Sequence, residues 1–228
     1  MALRLNTLPL TNINMNIGSD EKKAVARFLN FLLSGEKIAH RCSARQAGLC
    51  ENSAMKRFLL SQSRQEKFHA ITFQSAILWL SPKGVDSLAQ KQMHQYESML
   101  MEATDNNNLF SSVVGLQVIL EGMGDIALSH IETGIEQRGI GYQKIRRAIL
   151  AQEDSHHEFG LNYLKTNVAP ETISGHVDNY LTVIDEMLDS VHGLFDYFDE
   201  DINQYKAEFD YILPNWIHEN ALSHYPNA

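Results

Sequence analysis

The sequence predicts an all-α protein built on four principal helices, with a crossover helix and additional C-terminal helices, and three observations carry that reading. Apolar residues recur at three- and four-residue steps through most of the chain, the signature of helices with one buried face. Only five of the 228 residues are proline, and few β-branched runs are bounded by turn residues, which leaves little room for a sheet. The third observation is a repeat: Glu36, then Glu66 with His69, is echoed by Glu121, then Glu153 with His156. The interval from Glu36 to Glu66 is 30 residues and that from Glu121 to Glu153 is 32. A distance of that size is half a helix, a short loop and half an antiparallel helix, so the two halves read as copies of one helix-turn-helix unit.

The first helix is expected from about Ser19 to Ala47, because Val25, Phe28, Leu29, Leu32, Glu36 and Ala39 share a face. Glu36 therefore lies on the apolar side, where a carboxylate needs a partner. Ala47 to Ser53 interrupts the pattern, with Gly48 placed as a helix stop and Asn52 or Ser53 as a cap. The second helix, about Asn52 to Leu80, puts Leu59, Gln62, Glu66, His69, Phe73 and Ala76 on one face and ends at Ser81-Pro82. Val85 to about Thr104 has helical composition and no ligand candidate, so it reads as a crossover. Beyond the polar loop Asn106-Asn107-Asn108, a third principal helix presents Val114, Gln117, Val118, Glu121 and Leu128 together. Gly139-Ile140-Gly141 separates it from the fourth, about Tyr142 to Asn167. Glu171 to His192 and a stretch to about Leu222, bent or broken at Pro214, read as two more helices. Residues 1–18 form an N-terminal segment and 19–228 one domain.

Within each Glu-x-x-His, carboxylate and imidazole are three residues apart on one helix face, within reach of one ion. A single such pair arises often by chance and commonly forms a solvated contact. Two copies, each preceded by a Glu at near-equal distance, are a di-iron or di-manganese carboxylate pattern. Four carboxylates and two imidazoles suit hard to borderline first-row metals, and no thiolate is present to favour zinc-sulfur or copper(I) sites. Such a pair of ions can reduce O2. Periodicity alone leaves the last helix open, since Asp154 and His157 are also three apart on an equally good stripe. Asp125, one turn after Glu121, reads as a partner for a ligating histidine ahead of a ligand. The remaining histidines, His40, His94, His130, His176, His192, His218 and His224, fall outside the repeat. Phe28, Leu29, Leu32, Phe73, Ile77 and Leu128 lie where they would line an apolar pocket or close a core.

A formal net charge of −9 argues against non-specific binding to nucleic acid or to an anionic membrane surface. Cys42 and Cys50 match no zinc spacing and are too few for a disulfide framework. Met1 to Gly18 has no sustained apolar stretch, so neither a signal peptide nor an integral membrane segment is expected, and a cytoplasmic setting is the simplest.

Glu36, Glu66-x-x-His69, Glu121 and Glu153-x-x-His156, with Gly35 before the first, resemble the ferritin-like di-iron carboxylate superfamily. That resemblance selects Glu153 and His156 over Asp154 and His157, and implies a ferritin-like four-helix bundle with two iron ions; manganese-iron pairs use similar ligands. Within the superfamily the chain is most similar, from about Leu33 to Asn167, to aldehyde-deformylating oxygenases (aldehyde decarbonylases). Glu66-x-x-His69-x-x-x-Phe73 and His156-x-x-Phe159-Gly160-x-x-x-Leu164-Lys165-x-Asn167 carry this likeness. It implies conversion of a long-chain fatty aldehyde, O2 and external electrons to an alkane plus formate, with all six residues as catalytic metal ligands and an apolar small-molecule substrate. Gln152 stands where that family has an acidic residue, and Leu128 where it has a tyrosine.

The implied electron donor is a ferredoxin with its reductase, because the chain carries no flavin, haem or iron-sulfur motif. Lys144, Arg146 and Arg147 are a candidate docking cluster against a default of a solvated face. Glu153-Asp154-Ser155-His156-His157 followed by Phe159-Gly160 also resembles the last ligand helix of demethoxyubiquinone hydroxylases, which hydroxylate a quinone ring. A third reading is a non-oxygenase iron-binding protein of the ferritin or rubrerythrin kind. The helices after Pro170 speak against a storage cage, so a monomer or homodimer is expected.

Overall fold

The structure, a computed structural model, describes residues 18–137, 143–167, 174–197 and 201–212. Every regular element among the described residues is helical. Helix α1 (Ser19–Leu49) and α2 (Ser53–Leu80) form an antiparallel pair: His40 Nδ1 lies 2.7 Å from the Ser63 carbonyl oxygen, while nearer the other end Arg27 binds Asp86, just beyond α2, at 2.7 Å. The break between them falls where the sequence suggested, with a different device. Gly48 stays inside α1, which stops when Cys50 turns extended (φ −86°, ψ 124°). Asn52 then caps α2, its Oδ1 accepting from the amides of Ala54 and Met55 at 2.9 and 3.1 Å.

After α2 ends, Gly84 takes φ +80° and Ala89 φ 52°, two left-handed residues that turn the chain into α3 (Gln90–Asp105). This helix falls in the stretch read as a crossover; it lies against α1 and is held at its rim by ion pairs Arg41–Glu97 and Arg45–Asp105. Exposed pairs of this kind orient more than they stabilise. Asn108 caps a short α4 (Leu109–Val113), accepting from the Ser111 amide at 2.9 Å.

The chain then widens into a π-helical segment, Val114–Leu120, before returning to α-geometry in α5 (Glu121–Gln137). One regular helix was expected here. All residues from Ser111 to Met123 are buried, so the polar-apolar alternation that would have marked the extra residue in the turn is missing. Two glycines allow close packing around the segment. A Cβ on Gly115 would sit 2.5 Å from the Tyr180 ring, and one on Gly160 would sit 2.7 Å from Gln117 Cβ and 3.1 Å from its backbone carbon. The stretch Leu109–Ser129 is apolar and long enough to cross a membrane by composition, but 72% of that window is buried inside the protein.

Helix α6 (Gln143–Asn167) packs on α5 and the π segment, and touches α2. The two helices expected after it are three among the described residues: α7 (Ser174–Ser190), α8 (His192–Tyr197) and α9 (Ile202–Ile212). Helix α7 covers α3 and the π segment, where Tyr180 packs beside Tyr96, whose hydroxyl donates to the Gly115 carbonyl at 2.6 Å. Helix α9 lies on α5, with the Tyr205 hydroxyl donating to Met123 O at 2.7 Å. Both bonds end on the backbone of the stretch that carries Glu121. The loop 139–141, Pro170, Pro214, His218 and His224 lie outside the described residues.

Replacing Gly160 with Ala is expected to destabilise the fold by about 1–3 kcal/mol, although Ala is the better helix former, because the contact it would force is with backbone and Cβ atoms that cannot swing away. Chemical denaturation of wild type and variant measures it.

Candidate metal centre

Each of the six sequence-predicted residues comes from the buried face of a long helix: Glu36 from α1, Glu66 and His69 from α2, Glu121 from the start of α5, Glu153 and His156 from α6. None exceeds 8% exposure. The structure brings them into one cluster of two overlapping sets, Glu36, Glu66, His69 and Glu153, and Glu66, Glu121, Glu153 and His156, in each of which the donor atoms lie within 4.8 Å of one another.

The atoms facing each other explain the overlap. His69 Nδ1 is 3.1 Å from Glu66 Oε2 and 3.0 Å from Glu153 Oε1, while His156 Nδ1 is 2.9 Å from Glu66 Oε1 and 3.9 Å from Glu153 Oε2. Glu66 and Glu153 thus turn one oxygen toward each imidazole. Glu36 closes the His69 side at 3.2 Å and Glu121 the His156 side at 3.7 Å. Two adjacent positions arise, each with one imidazole and one carboxylate of its own, sharing two carboxylates.

The fit to metal is tested by what lacks a partner. Both oxygens of Glu66, Oε1 of Glu153 and Nδ1 of His156 are fully buried, and although they lie 2.9–3.1 Å from an oppositely charged or ring neighbour, none of them makes an aligned hydrogen bond. Unpartnered polar atoms are expensive in a core, and four carboxylates are more so. Two divalent cations would ligate these atoms and offset the negative charge. The donor set therefore fits the group it implies.

Titration behaviour reflects the same crowding. Burial, then repulsion from Glu153, raises the Glu36 carboxyl well above its ordinary range. Burial, then Glu66 and Glu153, does so for Glu121. Burial would also raise Glu153, but its neighbours Glu121, His156 and His69 outweigh that and hold it low. Burial would lower both histidines, yet the surrounding carboxylates win: His69 is pushed far up by Glu153, Glu36 and Glu66, and His156 to about 12 by Glu121, Glu153 and Glu66. Without metal, the imidazoles act as the counter-cations.

Sequence reading missed the groups that orient the histidines. His69 Nε2 faces Gln152 Oε1 at 2.7 Å, and His156 Nε2 faces Gln65 Oε1 at 2.9 Å. With these nitrogens donating to amide oxygens, each Nδ1 is left as the ligand atom. Both glutamines immediately precede a glutamate of the cluster, Glu66 or Glu153, and that adjacency was the available signal. The part assigned to Asp125 from its spacing belongs to them; Asp125 is half-buried, its carboxyl raised to about 6 by burial and then by Asp154 and Glu153. A second missed feature is a chain of buried amides: Gln62 Nε2 donates to Glu121 Oε1 at 2.7 Å, Gln117 Nε2 to Gln62 Oε1 at 2.9 Å, and Gln46 Nε2 to Gln117 Oε1 at 3.0 Å. Since Gln62 Oε1 is engaged by Gln117, its amino group must face Glu121.

Asp154 is exposed, and His157 turns away, its Nδ1 3.1 Å from the Gln117 carbonyl. Of the apolar residues expected around the centre, Leu32 and Leu128 line a cavity of about 40 Å³ that also touches Glu36, Glu121 and Glu153; Phe28, Phe73 and Ile77 are instead in the closed core. Gly35 and Gly124 border the cavity, and a Cβ on either would meet nothing within 4 Å. A larger groove, about 560 Å³ between α3 and α7, touches none of the six residues. His40 is engaged by Ser63, and His192 Nδ1 by the Asp189 carbonyl; Cys42 and Cys50 are buried free thiols and belong to neither ligand set. Arg147 is exposed and Arg146 half-buried, both already interacting with neighbours, while the Lys144 side chain lies outside the described residues. No protein-family model and no curated protein matches the chain.

Binding of divalent metal should release the protons that His69 and His156 hold in the metal-free protein. Because those protons compete with the ions, apparent affinity should rise with pH through the neutral range. Calorimetric titrations in buffers of different ionisation enthalpy measure the release, and heats independent of buffer would contradict it. Glu121→Gln keeps the oxygen that Gln62 binds while removing a charge from the crowd. Metal loading should fall, while the metal-free protein should melt about 2–4 °C higher, equivalent to about 1 kcal/mol for a chain of this size. A lower melting temperature than metal-free wild type would show that repulsion is not what limits the empty centre.

Proposed function

We propose that the protein is a ferritin-like four-helix bundle holding two iron ions, and that it acts as an O2-dependent oxidoreductase on an apolar small molecule. The observation that carries this reading is the pair of overlapping ligand sets sharing Glu66 and Glu153. Two ferrous ions held side by side would supply open coordination positions and part of the electrons that reduction of O2 requires, the rest coming from an external donor.

The chain's own residues do the rest. Gln152 and Gln65 hold the imidazoles in the tautomer that presents Nδ1. Gln62 engages Glu121 Oε1 and so orients that carboxylate, whose Oε2 would be the oxygen left to a bound ion. Phe31, Leu32, Leu120, Met123 and Leu128 keep water from the carboxylate side of the cavity. Its 40 Å³ accommodates roughly three water-sized molecules. A small oxidant fits as it stands, whereas an acyl chain enters only if a wall such as Leu128 or Met123 moves, with open space beside Gly35 and Gly124 to receive it.

A long-chain fatty aldehyde is the first substrate to test, on the resemblance of the ligand helices to aldehyde-deformylating oxygenases, with electrons from an external donor such as a ferredoxin and its reductase. The experiment loads the protein with ferrous iron, counts the metal, and supplies aldehyde, O2 and reductant in a single turnover. Two irons per chain, an alkane one carbon shorter and formate are the expected result. A hydroxylated quinone in place of the alkane would assign the centre to monooxygenation, and ferric mineral formed without any organic product would assign it to iron storage. Loading below about one ion per chain, or unchanged loading in Glu66→Ala and Glu153→Ala, would overturn the metal centre itself.

A further inference from the structure

Among the described residues, the exposed large apolar side chains are Leu60, Phe68, Ile71, Leu78 and Trp79, and all five belong to α2. Phe68 and Ile71 are each 57% exposed, Leu78 55% and Trp79 51%. Steps of three, seven and eight residues, with Trp79 next to Leu78, place them on one side of the helix, opposite Glu66, His69, Phe73 and Ile77. A patch of this kind is rare on a soluble surface and marks a contact with something else.

The polar residues of that surface say with what. Lys56, Arg57, Arg64 and Lys67 are exposed along its N-terminal half, and Lys83 just past its end, so cations stand at both ends of the apolar patch. The one acidic residue of α2, Glu66, is buried on the other face. Among the described residues none of these five cations forms an ion pair. A chain with net charge −9 has thus kept one helix face free of exposed acids while exposing its aromatic and aliphatic side chains there.

We infer that the outer face of α2 lies on an anionic lipid bilayer. Phe68, Ile71, Leu78 and Trp79 enter the interface, over about 16 Å of helix, and the lysines and arginines bind headgroup phosphates. Charge complementarity favours this occupant over a second copy of the chain. In a two-fold pairing of α2 with itself, the same cations would be buried with no carboxylate on the facing surface to receive them. Net charge, which spoke against an anionic surface, averages over faces that never meet the membrane. The cavity beside the carboxylates is lined by α1, α3, the π segment, α5 and α6 and by no residue of α2, so this contact is a separate surface and holds whether or not the centre activates O2.

The test is co-sedimentation of the full chain with phosphatidylcholine vesicles, with and without phosphatidylglycerol. It is paired with the emission of Trp79 in a Trp216→Phe background, since the chain has two tryptophans. Association roughly tenfold stronger on the anionic vesicles, weakened by salt and accompanied by a blue shift, is expected. Phe68→Ser with Ile71→Ser should abolish the shift, and Arg57→Gln with Arg64→Gln should weaken association. All four positions are already exposed, so metal uptake and helicity should match wild type and report that the variants fold. Absence of binding, or equal binding to both vesicle types, overturns the proposal. So does a wild-type dimer that becomes monomeric in the Phe68→Ser, Ile71→Ser variant without any vesicle binding, which would give the stripe to a second copy.

Discussion

The constraint on which the rest of the structure depends is the burial of four carboxylates and two imidazoles in one apolar core. In isolation, carboxylates sharing a low-dielectric site repel one another, and burial together with that repulsion raises Glu36 and Glu121 well above the ordinary carboxylate range. The fold does not relieve this by exposing them. It surrounds them with neutral donors and acceptors, and leaves oxygens of Glu66 and Glu153 unpartnered. A core arranged in this way is stable in proportion to what fills it, so ligand binding and folding are linked in the same residues.

The neutral shell has a consequence for the ligands' freedom. Gln46, Gln62 and Gln117 are all 0% exposed, and their amides run in a chain to Glu121. Each amide's orientation is dictated by the next, so the chain behaves as one unit. On the opposite position, Glu36 has no such chain among the described residues; its recorded polar contact is with His69 itself. The two ends of the centre therefore differ in stiffness, with Glu121 anchored to a buried scaffold and Glu36 free to follow the side chain it meets.

Much of this was legible in the amino-acid order, and the part that was not has a common cause. Glu36, Glu66, His69, Glu121, Glu153 and His156 come together because a three-residue step and a 30-residue interval are geometric statements about helices; only in the last helix did a rival pair, Asp154 and His157, fit the same step. Helix boundaries at Asn52, Ser81 and Asn108 follow from local side-chain chemistry. The π segment was invisible because its surroundings are buried on every side, leaving no polar face from which to read the pitch. The roles of Gln65 and Gln152, the latter noted only as a departure from an acidic residue, were overlooked because a solvated glutamine and one that meets a buried imidazole look alike in sequence; only the position next to Glu66 or Glu153 distinguishes them. The outer face of α2 was hidden by the same averaging: its apolar residues look like core when the partner face is unknown.

The two faces of α2 show why composition is a poor guide to surfaces in a protein of this kind. The inner face carries an acid and a base that belong in water by residue type and are withdrawn from it; the outer face carries Phe, Ile, Leu and Trp that belong in a core and are exposed. A helix with both inversions is locally frustrated in water, and neither is fully relieved by contacts within the chain: the imidazoles offset the buried carboxylates in part, and bound cations within and a contacting surface without would complete the relief. Stability spent in this way is retained only where those contacts are made. On that reasoning, α2, rather than the apolar Leu109–Ser129 stretch that is most hydrophobic, is the element through which this protein meets its surroundings.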